Sequence, residues 1–237
     1  MEIKKERSLI ADIGDQQVSR RKFMGYAGLF GASAVVLGSA VGCKKDSDTT
    51  TTTPPANNGV DLGSGDIGVL NYAYALEQLE AAFYIKVVQS PYSGMSSSEN
   101  SYLTDIRDHE IAHREFFKTA LGTSAIQALE VDFSSINFGS RDSVLATSKA
   151  FEDLGVSAYN GAGRLLTDVN NLLVAGKIVS VEARHAALIR DLIQANSFAS
   201  SDVVDANGLD MARTPSQVLA IAGTYIKTKI DASHLPS

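Results

Sequence analysis

The pattern Glu-x-x-His occurs twice, as Glu110-Ile-Ala-His113 and as Glu182-Ala-Arg-His185, and it constrains the fold more than any other feature of the chain. On an α-helix a three-residue step turns by about 300°, so the two side chains stack on one face, one turn apart. Both pairs continue apolar stripes: Leu103, Ile106, Glu110, His113 and Phe117 in one segment, and Ile178, Glu182, His185, Ile189 and Leu192 in the other. A surface ion pair would continue a polar stripe instead. Carboxylates on an inward face demand a cation or protons to offset their burial. Two helices that each present such a pair to a common interior predict an all-α bundle with candidate ligands for a pair of metal ions.

The remaining helices are placed around these two. A first helix runs from Asp66, a potential cap, to about Gln89, with Glu77 and Glu80 on the same stripe as Leu70, Ala73, Tyr84 and Val87. A second begins near Ser96-Ser97-Ser98-Glu99, which has capping-box spacing, and ends near Leu121-Gly122. Residues 122–141 form the longest connection within the helical region, long enough to cross between parallel neighbours of a four-helix bundle. The third helix spans about Arg141 to Leu166, and its Gly155, Gly161 and Gly163 predict close approach of another backbone. The fourth follows Asp168 and reaches about Gln194. After a polar loop, Thr214-Pro215-Ser216 opens a shorter C-terminal helix to about Lys229, with Val218, Ile221, Ala222 and Tyr225 on its apolar side. The bundle is thus expected over 66–195, with 196–237 forming a loop and a helix packed on it.

The first and third helices share a second element. Glu77 is followed seven residues later by Tyr84, and Glu152 seven residues later by Tyr159, so each Tyr lies on the face of its Glu. The order Glu77…Tyr84, Glu110-x-x-His113 is repeated as Glu152…Tyr159, Glu182-x-x-His185, a layout with pseudo-two-fold symmetry. The stretch from about 66 to 229 resembles the ferritin-like superfamily of di-iron carboxylate four-helix bundles. It resembles more narrowly the bacterial ferritin-like domain family that includes desiccation-related proteins, through LEQLEAAFY, FEDLGVSAYNGA and VEARHAALIRDL. The resemblance implies that Glu77 and Glu152 are terminal carboxylates, that Glu110 and Glu182 bridge, and that His113 and His185 each bind one metal. Tyr84 and Tyr159 would stand just behind the ligands. Glu80, whose counterpart is Gly155, is read as an extra ligand, a proton donor or a neighbour of the ligands. His109 points off the stripe, either next to the ligands as their neighbour or partly exposed.

Ahead of the helices the chain reads as an address. Ser19-Arg20-Arg21-Lys22-Phe23-Met24 precedes an apolar, Gly/Ala-rich run from Gly25 to Gly42, and Cys43 follows. This leader resembles a twin-arginine (Tat) export signal, and Ala40-Val41-Gly42-Cys43 resembles a lipobox, with Ala40 where Leu is usual. Residues 1–42 are then a signal peptide, Cys43 the lipidated first residue, and 43–65 a polar, Thr-rich disordered tether to the membrane of a cell-envelope protein. A single cysteine leaves no intrachain disulfide and no Cys-based metal site. Beyond residue 42 the chain carries 15 basic against 23 acidic residues, which disfavours nucleic acid as a partner.

Oxygen-rich ligands with one imidazole per metal suit Fe(II) or Mn(II). The expected cofactor is therefore two Fe ions, or alternatively two Mn ions, reacting with dioxygen or hydrogen peroxide. Three functions fit: an oxidase or peroxidase acting in oxidative or desiccation stress, a dimanganese catalase, and a non-enzymatic structural lipoprotein with a vestigial metal site. The sequence leaves catalytic activity and oligomeric state open, a dimer among the options.

Overall fold

The computed structural model describes residues 59–236. The twin-arginine leader, Cys43 and most of the expected tether lie outside these residues. The described chain forms five α-helices, α1 (Gly65–Gln89), α2 (Ser97–Leu121), α3 (Arg141–Gly163), α4 (Val169–Ile193) and α5 (Pro215–Ala222), and two short strands, β1 (Val60–Asp61) and β2 (Ile230–Asp231). The fold is all-α apart from that strand pair, as the doubled motif predicts.

Local chemistry sets most helix starts. Ser96 accepts from the Glu99 amide while the Glu99 carboxylate accepts from the Ser96 amide, the reciprocal box read from sequence. Ser140 and Asp168 cap α3 and α4 through their side chains, and Thr214 with Gln217 boxes the start of α5 behind Pro215. The start of α1 differs from expectation. Ser64, not Asp66, is its N-cap, and the Asp66 carboxylate accepts from the amides of Thr167 and Asp168, the Thr167 hydroxyl and the Asn171 amide group. Asp66 thereby ties α1 to the turn between α3 and α4.

α1 packs along α2 and α3 along α4, and the two hairpins meet chiefly through α1 and α3. From Gly68 to Tyr84 every residue of α1 except Leu70 and Ala82 is buried, so this helix is interior on almost all sides and not amphipathic. Two of its polar residues, again seven apart, hold the crossover 122–140. Asn71 donates to the Leu62 and Ser124 carbonyls and accepts from the Ile126 amide, and Gln78 accepts from the Leu129 amide. Phe133 and Phe138 of the crossover pack against Phe83 with ring centroids 6.0 and 5.8 Å apart. On the far side of the bundle Arg190, 3 % exposed, is clasped by Asp153 and Asp202 and donates to Ser200, joining α3, α4 and the loop after α4.

The C-terminal helix is shorter than expected. It ends at Ala222, a 3-10 turn covers Gly223–Tyr225, and the β-branched residues Ile226 and Ile230 lie in extended chain on either side of a bend at Thr228. β2 pairs in parallel with β1, with Val60 opposite Ile230 and bonds from the Val60 amide to the Lys229 carbonyl (2.8 Å) and from the Leu62 amide to the Asp231 carbonyl (3.0 Å). Leu62 is fully buried. The ordered domain therefore begins before Asp66, and residues 60–65, which the sequence reading gave to the tether, are part of it. Of the three glycines in α3, Gly161 has the expected backbone neighbour: a Cβ there would meet the Arg213 carbonyl oxygen at 1.7 Å. Gly155 faces the Glu80 side chain instead, and Gly163 has only Leu172 nearby. Among the described residues no helix is long and apolar enough to cross a membrane.

Candidate metal centre

The six side chains singled out as ligands come together in the middle of the bundle. Glu77 arrives from α1, Glu110 and His113 from α2, Glu152 from α3, Glu182 and His185 from α4. The four carboxylates have no solvent exposure. Each imidazole faces three of them. His113 Nδ1 lies 2.8 Å from Glu182, 3.5 Å from Glu77 and 3.8 Å from Glu110; His185 Nδ1 lies 2.9 Å from Glu110, 3.4 Å from Glu152 and 3.7 Å from Glu182. Matched distances in the two halves differ by only 0.1 Å, so the sequence repeat is a spatial pseudo-two-fold. The atoms fall into two groups, each with its donors within 4.8 Å of one another: Glu77, Glu110, His113, Glu182 and Glu110, Glu152, Glu182, His185. Glu110 and Glu182 belong to both.

Charge and lone pairs test whether metal ions fit. Eight buried donor atoms here, at least one from each of the six residues, have no hydrogen-bond partner. The close Nδ1···O approaches are contacts without hydrogen-bond alignment, as lone pairs converging on a shared point would be. Four carboxylates and two neutral imidazoles would be neutralised by two divalent cations. The donor set fits hard or borderline first-row metals.

The surrounding groups hold these six side chains in place. Tyr84 on α1 donates to Glu152 on α3, and Tyr159 on α3 donates to Glu77 on α1, so each tyrosine reaches across the bundle to the other half's carboxylate. Each Glu keeps its second oxygen for the centre. His109 is exposed, and its Nδ1 lies 2.9 Å from His185 Nε2. With the proton on Nε2 donated to His109, the Nδ1 lone pair of His185 is free for a metal. Glu80 is buried beside Gly155, its Oε1 3.1 Å from where a Cβ at that position would stand. It lies outside the two ligand groups.

Without ions, protons balance the charge. Burial opposes the imidazolium of His185, but the Glu152, Glu110 and Glu182 carboxylates outweigh it and push its pKa up to about 12; His113 is raised in the same way by Glu77 and its neighbours. Burial, with the Glu182 charge adding, raises Glu110 to about 8. Glu182 resists burial and is held down at about 2 by both histidines. Desolvation and the neighbouring carboxylates push Glu80 well up.

Sequence reasoning missed the pinning roles of Asn71 and Gln78, whose signal is an uncharged amide repeated at seven residues inside an apolar helix, and the clasp at Arg190. Arg107 and Arg114 pair with Asp108 and Glu115 beside them and do not reach the centre; Arg184 bonds to Ser180. His234 pairs with Asp61 at the surface. Two helical hairpins enclosing a buried carboxylate–histidine cluster that could bind metal define a recognisable class of helical bundle. Residues 65–195, more than half of the chain, match the family described as the ferritin-like domain. The chain belongs to that family. A comparison with curated proteins finds no match.

Proposed function

We propose that this is an exported, lipid-tethered ferritin-like protein that holds two iron ions and reacts with dioxygen or hydrogen peroxide in protection against oxidative or desiccation stress. The observation that supports this reading is the set of eight orphaned donor atoms facing one another in two groups that share two carboxylates. Glu77 with His113 would hold one ion, Glu152 with His185 the other, and Glu110 and Glu182 would span both. When bound, the metal pair supplies the electrons that reduce the oxidant. The chain's own residues do the rest: Tyr84 and Tyr159 orient the terminal carboxylates, His109 fixes the tautomer of His185, and Glu80, next to Glu182 at Gly155, is placed as a proton donor. The kinship with desiccation-related proteins, the twin-arginine leader and lipidation at Cys43 rest on sequence resemblance.

Metal analysis of protein recovered from its own envelope is expected to give about two Fe per chain. A metal-free or zinc-only result would sink the redox reading, and two Mn with oxygen evolution from peroxide would select the catalase. Glu110→Ala and His185→Ala are expected to abolish metal retention and oxidant consumption together; unchanged metal content would show the ligands to be elsewhere. For the address, Arg20→Lys with Arg21→Lys is expected to leave the protein inside the cell, and Cys43→Ser to remove a fatty-acid label. Normal export of the first or labelling of the second refutes that part.

A further inference from the structure

Beyond the ligands, the bundle contains a small apolar cavity at the end formed by the start of α1, the end of α2, the end of α3 and the start of α4. Its volume is about 40 Å³, room for one small molecule. The floor is made by Leu76, Phe117, Tyr72 and Tyr159. Leu76 directly precedes Glu77, Phe117 stands one helical turn beyond His113, and the Tyr159 hydroxyl donates to Glu77 itself. The rim is exposed at Ala120 and half-buried at residues of all four helices, among them Leu70, Gly163 and Val174, so the cavity opens at this end of the bundle.

The polarity of the lining decides what can occupy it. A buried water typically makes about three hydrogen bonds, and empty cavities lined by apolar groups stay dry. Here the Tyr159 hydroxyl proton is committed to Glu77, and the half-buried Asn171 gives one side-chain N–H to Asp66. The Tyr72 hydroxyl is the only buried side-chain polar atom on the lining without a partner. That hydroxyl can donate and accept, and the Tyr159 oxygen can still accept, but a water or hydrogen peroxide would remain short of the roughly three hydrogen bonds it normally makes. The shortfall costs nothing to a molecule that needs no hydrogen bonds. We infer that this cavity is a binding site for dioxygen on its way to the centre, and that it selects dioxygen over hydrogen peroxide as the oxidant reaching the Glu77 side.

The inference rests on the redox function proposed above, and the test separates the two. Crystals of the metal-loaded chain pressurised with xenon are expected to show xenon against Leu76, Phe117 and Tyr159; ordered water or cryoprotectant there, with xenon excluded, overturns the inference whatever the metals do. In solution, Ala73→Val and Ala162→Val, which fill the cavity from α1 and α3, are expected to raise the dioxygen concentration needed for half-maximal oxidation of the bound iron several-fold. Metal content, melting temperature and the rate with hydrogen peroxide should stay as in the parent. Equal losses with both oxidants, or no change with either, count against the cavity. A parent protein that oxidises its metal with neither oxidant refutes the redox function, and the xenon result still decides what the cavity takes.

Discussion

Carboxylates without solvent contact need counter-charge, and Glu77, Glu110, Glu152 and Glu182 are all in that position. In the metal-free protein, protons supply it. Glu110, raised from 4.5 to about 8, and His185, raised from 6.5 to about 12, bind protons more tightly folded than unfolded, so their contribution to stability is present at low pH and lost as pH rises through those windows. Glu182, lowered to about 2, works in the opposite sense only as pH falls below its ordinary 4.5. The metal-free chain is therefore expected to lose urea resistance progressively as pH rises from about 5 to about 12, while the metal-loaded chain, whose ions replace those protons, does not. Metal uptake should release protons, visible as a binding heat that varies with the ionisation enthalpy of the buffer; a heat identical in all buffers would refute the displacement. His109 gives a sharper test, because it touches no ligand carboxylate and acts through His185. His109→Ala is expected to weaken metal affinity by about 10–100-fold, and His109→Gln, whose amide oxygen can accept from Nε2, to recover part of it. Equal affinities in a competition titration would remove its positioning role. The clustering of the six residues and the tyrosines was legible because their spacing keeps them on inward stripes; His109 lies off the stripe, and only the fold shows that it meets His185.

Among the elements, α2, α3 and α4 follow their sequence signals within a few residues, since caps at Ser96, Ser140 and Asp168 mark where each begins. α1 was harder to read in full. Its Glu77–Tyr84 face belongs to the centre and its Asn71–Gln78 face to the crossover, so no polar side remains to set a direction. The end of α5 was misjudged because Val218, Ile221, Ala222 and Tyr225 keep helical spacing across Gly223, where extended chain takes over to reach β1. The glycines of α3 supply a paired prediction. Gly161→Ala would drive a Cβ into the Arg213 carbonyl and is expected to cost about 1–3 kcal/mol despite alanine's better helix propensity. Gly163→Ala, with Leu172 Cδ1 at an ordinary 3.7 Å, should not lower the urea midpoint. Equal effects at both positions would contradict the close approach at Gly161.

For the whole molecule, the doubled motif dictated the all-α bundle and the crossover between its hairpins. It could not disclose the strand pair, because two-residue strands leave no periodic signature and one of them lies wholly in a stretch with tether-like composition. Leu62 tests that boundary. At zero exposure, Leu62→Ala is expected to cost about 2–5 kcal/mol in chemical denaturation, where a tether residue would cost nothing measurable. The pairing of β1 with β2 also has a mechanical consequence. Parallel strands at the two ends of the domain lie so that tension between residues 59 and 236 pulls them past each other, loading the Val60–Lys229 and Leu62–Asp231 bonds together instead of one at a time. Stretched between its ends, the domain is loaded in shear at this clamp once Leu235 is drawn off the core, and the hairpins that carry the centre are strained only after the clamp has slipped.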